Sequence, residues 1–176
     1  MYDVPIQNRM RWYVSQDGNR IAIVSAGMAG KDSAMISVVT LNEHGDTVFA
    51  RRYPYAPSLI AQRARDSSVQ RVRAAGDKTV AQVRKLVLDL TPKFWPPVVG
   101  VMIGRDRTTW IALHPGPPDS VPNTRLVLDQ RGDIIGEVVP PRNVGIVNAD
   151  REHVWAAERR GNAVVAVIRY KLVPKK

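Results

Sequence analysis

The chain has 176 residues, 44% of them hydrophobic, which is room for one domain with a sizeable core and is not the composition of a disordered polymer. It has no cysteine, which excludes disulfides, thiol catalysis and the common structural zinc sites, and no apolar run long enough to read as a transmembrane helix. The formal charge of +10 at pH 7 would draw polyanions: nucleic acid, an acidic membrane surface or an acidic protein.

In chain order, "MYDVPIQNRMRWYV" has neither a basic leader nor an uninterrupted apolar stretch, so no export signal is read there and the compartment stays open. Four strand-like runs follow, Trp12 to Ser15, Arg20 to Val24, Met35 to Leu41 and Thr47 to Tyr53, with "QDGN" and "EHGD" as tight turns. Between the second and third runs, "SAGMAGKDSAM" has some features of a phosphate-binding loop. Ser25 stands where the first glycine is required, Asp32 stands where Ser or Thr should meet magnesium, and a strand follows instead of a helix. A loop between strands is the better reading, and no cofactor is expected.

Residues 56–92 change texture. "PSLIAQRARDSSVQRVRAAG" and "DKTVAQVRKLVLDLTP" favour helix, with Ser58 and Asp77 as caps and Gly76 and Pro92 as stops. Val80, Val83, Leu86, Val87 and Leu90 share one helical face. From Ala56 to Lys93, eight Lys or Arg stand against three Asp, a net +5 that is half the charge of the chain. The insertion has almost no aromatics to interleave with that charge, which favours a solvated basic face over a nucleic-acid site.

A second unit has strands at Val98 to Ile103, Thr109 to Leu113, Arg125 to Leu128 and Ile134 to Val139, and a third at Val144 to Val147, His153 to Ala157 and Ala163 to Tyr170. The units echo one another. "HGDTVFARRYPYAP" returns 87 positions later as "RGDIIGEVVPPRNV", and Trp110 and Trp155 lie 45 apart in "RDRTTWIAL" and "ADREHVWAA". A period in the forties with short strands and glycine turns is the signature of β-propeller blades. The fold class expected is mainly β, about three antiparallel propeller-type blades with a helical insertion between the first two. The chain then divides into a blade at 9–55, the insertion at 56–92, a blade at 93–141 and an incomplete blade at 142–174, all in one partial propeller domain.

The stretches "FWPPVVGVMIGRDRTTWIAL", "TRLVLDQRGDIIGEVVPP" and "NADREHVWAAERRGNAVVAVIRYKLVP" resemble the C-terminal portion of bacterial six-bladed β-propeller proteins of the NHL or TolB-like group. The resemblance covers most of 93–174 and, more loosely, 9–55. It implies a scaffold and carries no catalytic residue across; members of that group are commonly exported to the periplasm or beyond. A six-bladed ring needs roughly 260 residues, so this chain holds about half of one.

No motif carries a reaction. The tripeptide Arg131-Gly132-Asp133 matches His44-Gly45-Asp46 in the repeat and reads as a hairpin turn, not an adhesion ligand. His44, His114 and His153 have no metal-ligand spacing, and no nucleophile elbow occurs. Asp106 and Asp150 fall in equivalent turns and read as turn residues, while Trp110 and Trp155 read as packing between blades and Trp95 as less constrained.

The leading expectation is a non-enzymatic binding or protein-interaction module. In an antiparallel meander alternate connections emerge at the same end, so the loops at 26–34 and 114–123 share a face with the connections at 54–97 and 140–143. Lys31, Asp32, Arg71, Arg73, His114, Asp119 and Arg142 are the candidate partner-binding residues on that face. Two alternatives stand beside it: a propeller-type hydrolase or lactonase with a calcium site, and a polyanion-binding protein. Because the third unit has three strands, self-association into a closed ring is also expected, with Met1 to Gln7 alongside Ala163 to Tyr170 of a second copy.

Overall fold

The computed structural model describes residues 10–28, 33–64, 66, 81, 82, 85, 92–114, 124–141, 144–160 and 163–173. Among them the protein is mainly β. The first sheet is a meander of β1 (Arg11–Val14), β2 (Arg20–Met28), β3 (Ala34–Asn42) and β4 (Thr47–Tyr55). The second is a meander of β5 (Val98–Ile103), β6 (Thr109–Leu113), β7 (Arg125–Leu128) and β8 (Ile134–Val138). The third has β9 (Val144–Ala149), β10 (His153–Arg160) and β11 (Ala163–Lys171), with β10 in the middle. Every pairing is antiparallel.

The strands fall where the apolar patterning puts them, and several are longer than it indicates, β2 by the most. β2 runs on to Met28 and β3 begins at Ala34, because Ser25, Ala26 and Gly27 pair with Ser37, Ile36 and Met35. That extension is held by the backbone ladder, to which side-chain hydrophobicity gives no clue. The helical insertion expected over 56–92 is not seen. Among the described residues there is one short helix at 62–64, with Asp66, Ala81, Gln82 and Lys85 helical apart from it. The rest of that stretch lies outside the described residues. No helix among the described residues is long and apolar enough to cross a membrane.

The three sheets stack with the second in the middle. Side chains of a strand alternate between faces, so a sheet covered on both sides must bury consecutive residues. This is what the second sheet does: Thr109 to Ala112 and Leu126 to Leu128 are all buried, whereas β3 alternates buried and half-buried. Ile111, Leu126 and Leu128 meet Val24, Ile36, Val38, Phe49 and Tyr53 of the first sheet. Trp110 and Val127, one step along the same strands, meet Ala149, Val154 and Ala156 of the third. Each such aliphatic or aromatic burial stabilises by about 1.5–3 kcal/mol before entropy is charged against it, so the two interfaces hold the stack together.

The tight turns repeat atom for atom. In the β3–β4 turn the Asn42 side-chain oxygen accepts from the N–H of His44 (3.0 Å) and of Asp46 (2.9 Å). In the β7–β8 turn the Asp129 carboxylate accepts from Arg131 (2.8 Å) and Asp133 (2.9 Å). Gly45 and Gly132 both take a φ of 85°, which a side chain resists. The surroundings of the two differ. A Cβ on Gly45 would meet open space, whereas one on Gly132 would come within 2.7 Å of the Phe49 ring. The second-sheet turn is thus seated on β4, and Tyr53 donates a hydrogen bond to the Gly132 carbonyl.

Candidate functional site

The meander order sends the β2–β3 and β4–β5 connections to one end of the first sheet, with the β6–β7 connection beside them. The stem of the β4–β5 connection is pinned there by backbone alone. Leu59 bridges Phe94, the Ile60 N–H donates to the Lys93 carbonyl (2.9 Å), and the Trp95 N–H donates to the Ser58 carbonyl (2.8 Å). Buried Ile60 and Pro97 anchor the two sides of the stem. Pro92, Pro96 and Pro97 have no N–H to satisfy, so this segment forms a wall without needing a further strand.

The wall encloses an apolar cavity of about 250 Å³. Gly27 and Ala34, at the ends of β2 and β3, form its base, and Pro57, Phe94, Trp95 and Pro97 form its sides. Lys93 also borders it. Trp95 is held by a stack on His114, ring centroids 4.6 Å apart and planes 16° off parallel. His114 is fixed in turn by its backbone N–H, which donates to the Pro97 carbonyl (2.8 Å). Burial pushes the His114 imidazole below its ordinary pKa, so the stack is between two neutral rings at pH 7. The Trp95 indole N–H is buried and meets no hydrogen-bond partner among the described residues. An unsatisfied buried donor costs about 1–3 kcal/mol, which an acceptor arriving with a ligand would recover.

Of the residues singled out from sequence, His114 is at this cavity. Lys31, Asp32, Arg71, Arg73, Asp119 and Arg142 lie outside the described residues. Sequence reasoning missed the wall itself. The signal was present in "KFWPPV", where two aromatics and two prolines abut a strand, and it was passed over because no periodicity runs through it. Arg125 was also missed: at the start of β7 its guanidinium is desolvated and its Nε has no partner among the described residues, which lowers its pKa.

The opposite end, where the tight turns lie, is knit for structure. The Arg105 N–H donates to the Ala149 carbonyl (2.8 Å), and Asn148 donates to Gln16 (3.1 Å). Asp106 accepts from the Thr108 hydroxyl (2.7 Å) and the Arg151 N–H (3.1 Å), and Asp150 accepts from the N–H groups of Glu152 and His153. Asp150 serves its own turn, whereas Asp106 serves its own and also ties it to the β9–β10 turn through Arg151. Among the described residues no three His, Cys, Asp or Glu are grouped to hold a metal ion.

Comparison with protein families, curated proteins and solved structures finds no match to this chain. What the cavity can do is therefore argued from its own chemistry. It offers apolar walls, a rigid aromatic face, one waiting N–H donor and a bordering ammonium group. That set suits an apolar side chain flanked by an acceptor and an acidic group.

Proposed function

We propose that the protein is a protein-interaction module, built of propeller-type blades, whose partner binds at the end bearing the β4–β5 connection. The observation that carries this reading is the apolar cavity between Gly27, Ala34 and the Pro57 and Phe94–Pro97 walls, with a Trp95 indole N–H that has no partner among the described residues. An apolar anchor of the partner enters the cavity, its backbone carbonyl accepts from Trp95, and acidic residues around the anchor meet Lys93 and the basic stretch at 56–93. The blade reading is supported by the repeated four-stranded meanders and by the turn geometry repeated at an interval of 87 residues.

Ala34 supplies the test. It lines the cavity, and alternation along β3 puts its side chain on the face of Ile36 and Val38, so a larger side chain there occupies the cavity. Peptides selected from a displayed random library against the wild-type protein are expected to carry an apolar residue next to Asp or Glu. They should bind Ala34→Leu at least about tenfold more weakly, a loss of about 1.4 kcal/mol. Arg71→Glu combined with Arg73→Glu should weaken binding and flatten its salt dependence. Peptides that bind Ala34→Leu as well as wild type would overturn the site. Steeply salt-dependent binding of a labelled oligouridylate, with no peptide selected, would replace the reading with polyanion binding.

A further inference from the structure

We propose that the pocket between the β1–β2 and β5–β6 turns binds a small oxyanion of the phosphate class, held by the guanidinium groups of Arg107 and Arg20. It lies at the tight-turn end, away from the cavity beside Trp95, and does not depend on the partner-binding reading.

One turn departs from the pattern of the others. Among the described residues four turns close with the same two backbone hydrogen bonds. In each, the N–H of the fourth residue donates to the carbonyl of the first: Gly18 to Ser15, Gly45 to Asn42, Gly132 to Asp129 and Arg107 to Gly104. The N–H of that first residue then donates to a carbonyl just past the turn, those of Arg20, Asp46, Asp133 and Thr108. The fourth residue takes a φ of 73°, 85°, 85° and 66° respectively, and in three of the turns it is glycine. The β5–β6 turn has an arginine there. A side chain in the left-handed region costs conformational energy that glycine avoids. Such local strain clusters at sites that use the side chain.

The surroundings give Arg107 a use. With Gly104 and Arg105 of its own turn and Ser15, Gln16 and Asp17 of the β1–β2 turn, it lines a pocket of about 170 Å³. That is below the roughly 300–1,000 Å³ of sites for drug-sized ligands, and it suits a small ion. The walls are tied to the third sheet as well: Gln16 accepts from the Asn148 side chain (3.1 Å), and the Arg105 N–H donates to the Ala149 carbonyl (2.8 Å). Turns of all three sheets thus fix its shape.

Arg20 adjoins the pocket. Its N–H donates to the Ser15 hydroxyl (2.9 Å), and alternation along β2 puts its side chain on the face of Ala22 and Val24, toward the second sheet. Its Nη1 is buried and has no hydrogen-bond partner among the described residues. Burial lowers the Arg20 pKa and repulsion from Arg107 lowers it further, while Asp17 opposes both. Arginine nevertheless stays charged at neutral pH. Asp17 is engaged within its own turn, accepting from the Ser15 hydroxyl and from the Asn19 N–H (3.2 Å). Arg105 adds its charge although its guanidinium packs 5.3 Å from the centre of the Trp155 ring. Three arginines against one aspartate leave a net charge of +2, which a phosphate dianion balances and a carboxylate does not. The planar fork of a guanidinium also matches two phosphate oxygens at once.

The test is a titration of the full chain with inorganic phosphate at constant ionic strength, followed by amide resonances. Saturable shifts are expected, confined to residues 15–20 and 103–108. Arg107→Gly should weaken binding at least about tenfold at an equal or higher melting temperature, because glycine relieves the left-handed backbone. Arg20→Gln should weaken it too, with far-ultraviolet circular dichroism unchanged, and Asp17→Asn should tighten it. Acetate should bind at least about tenfold more weakly than phosphate. Glycerol phosphate that binds as tightly as inorganic phosphate identifies a phosphate monoester as the ligand, and its exclusion identifies the free ion. The proposal is overturned by shifts spread over the whole basic surface, by acetate binding as tightly as phosphate, or by Arg107→Gly binding like wild type. It is also overturned if Arg107→Gly lowers the melting temperature, which would show that Arg107 serves the fold.

Discussion

Trp110 and Trp155, 45 positions apart, point to the same side of consecutive sheets, and yet Trp110 is fully buried while Trp155 is only half-buried. Trp110 lies under the third sheet, and its indole N–H donates to the Thr108 hydroxyl (2.8 Å). Trp155 alternates with the buried Val154 and Ala156, so it faces away from the second sheet, with the Arg105 guanidinium 5.3 Å from its ring centre. The repeat places both; the presence of a next sheet decides which is buried.

That difference is measurable. We predict that Trp110→Ala lowers the stability of the protein by about 3–5 kcal/mol, because a large cavity opens in the core. Trp155→Ala should cost about 1 kcal/mol in the same urea titration, since little packing is lost at a half-exposed site. Equal losses would mean that the two tryptophans are packed alike.

The paired turns give a second comparison. Gly45→Ala should cost about 1–2 kcal/mol, from forcing a side chain into the left-handed region. Gly132→Ala suffers the same strain and also drives a methyl group into Phe49 and Arg51, for about a further 1–3 kcal/mol. Thermal unfolding of both variants checks the order. If Gly45→Ala is the more damaging, the seating of the β7–β8 turn on β4 is wrong.

Much of this was legible in the sequence. Alternating β-branched residues and glycine turns located the eleven strands of the described residues, and the echo of "HGD" in "RGD" announced two turns with one geometry. The cavity wall was not legible, because Leu59 and Phe94 meet across a long connection and are joined by backbone hydrogen bonds that no residue pattern encodes. Trp155 was read as core for a related reason: periodicity tells which side a residue faces, and nothing in one chain tells what stands on that side. The basic residues at 71 and 73 and the loop residues at 31, 32, 119 and 142 lie outside the described residues, so for the candidate site only His114 joins sequence to geometry.

Tyr53 ties stability to alkaline pH. Burial is the main cause of a phenol pKa pushed up to about 12; Arg51 opposes it, and Asp133 and Asp129 add to it. The folded state thus holds the proton that the unfolded chain gives up near pH 10. Stability from this group is fully present below pH 10 and is lost as pH rises from there through about 12. Tyr53→Phe leaves the Gly132 carbonyl without its donor, costing about 1–3 kcal/mol at pH 8. It should also flatten the decline between pH 10 and 12. A decline equally steep in the variant would assign it to other groups.

His114 makes the cavity itself sensitive to acid. Two effects compete when its imidazole takes a proton against Trp95: a cation over an indole face gains roughly 0.5–2 kcal/mol, and burying the charge costs free energy. Burial lowers the His114 pKa, so the folded state favours the neutral ring. The unfolded chain binds the proton near pH 6.5, before the folded one does, and stability therefore falls as pH drops below about 6.5, levelling once the folded group is also protonated. Because the stack positions Trp95, the same proton should loosen the cavity wall. We predict a His114 proton resonance titrating below the ordinary histidine value, Trp95 emission that shifts over the same pH range, and peptide binding that weakens in step. His114→Phe keeps an aromatic stack and should remove all three dependences. A His114 midpoint at or above the ordinary value would show that the cation–aromatic attraction outweighs burial, and binding would then strengthen on acidification.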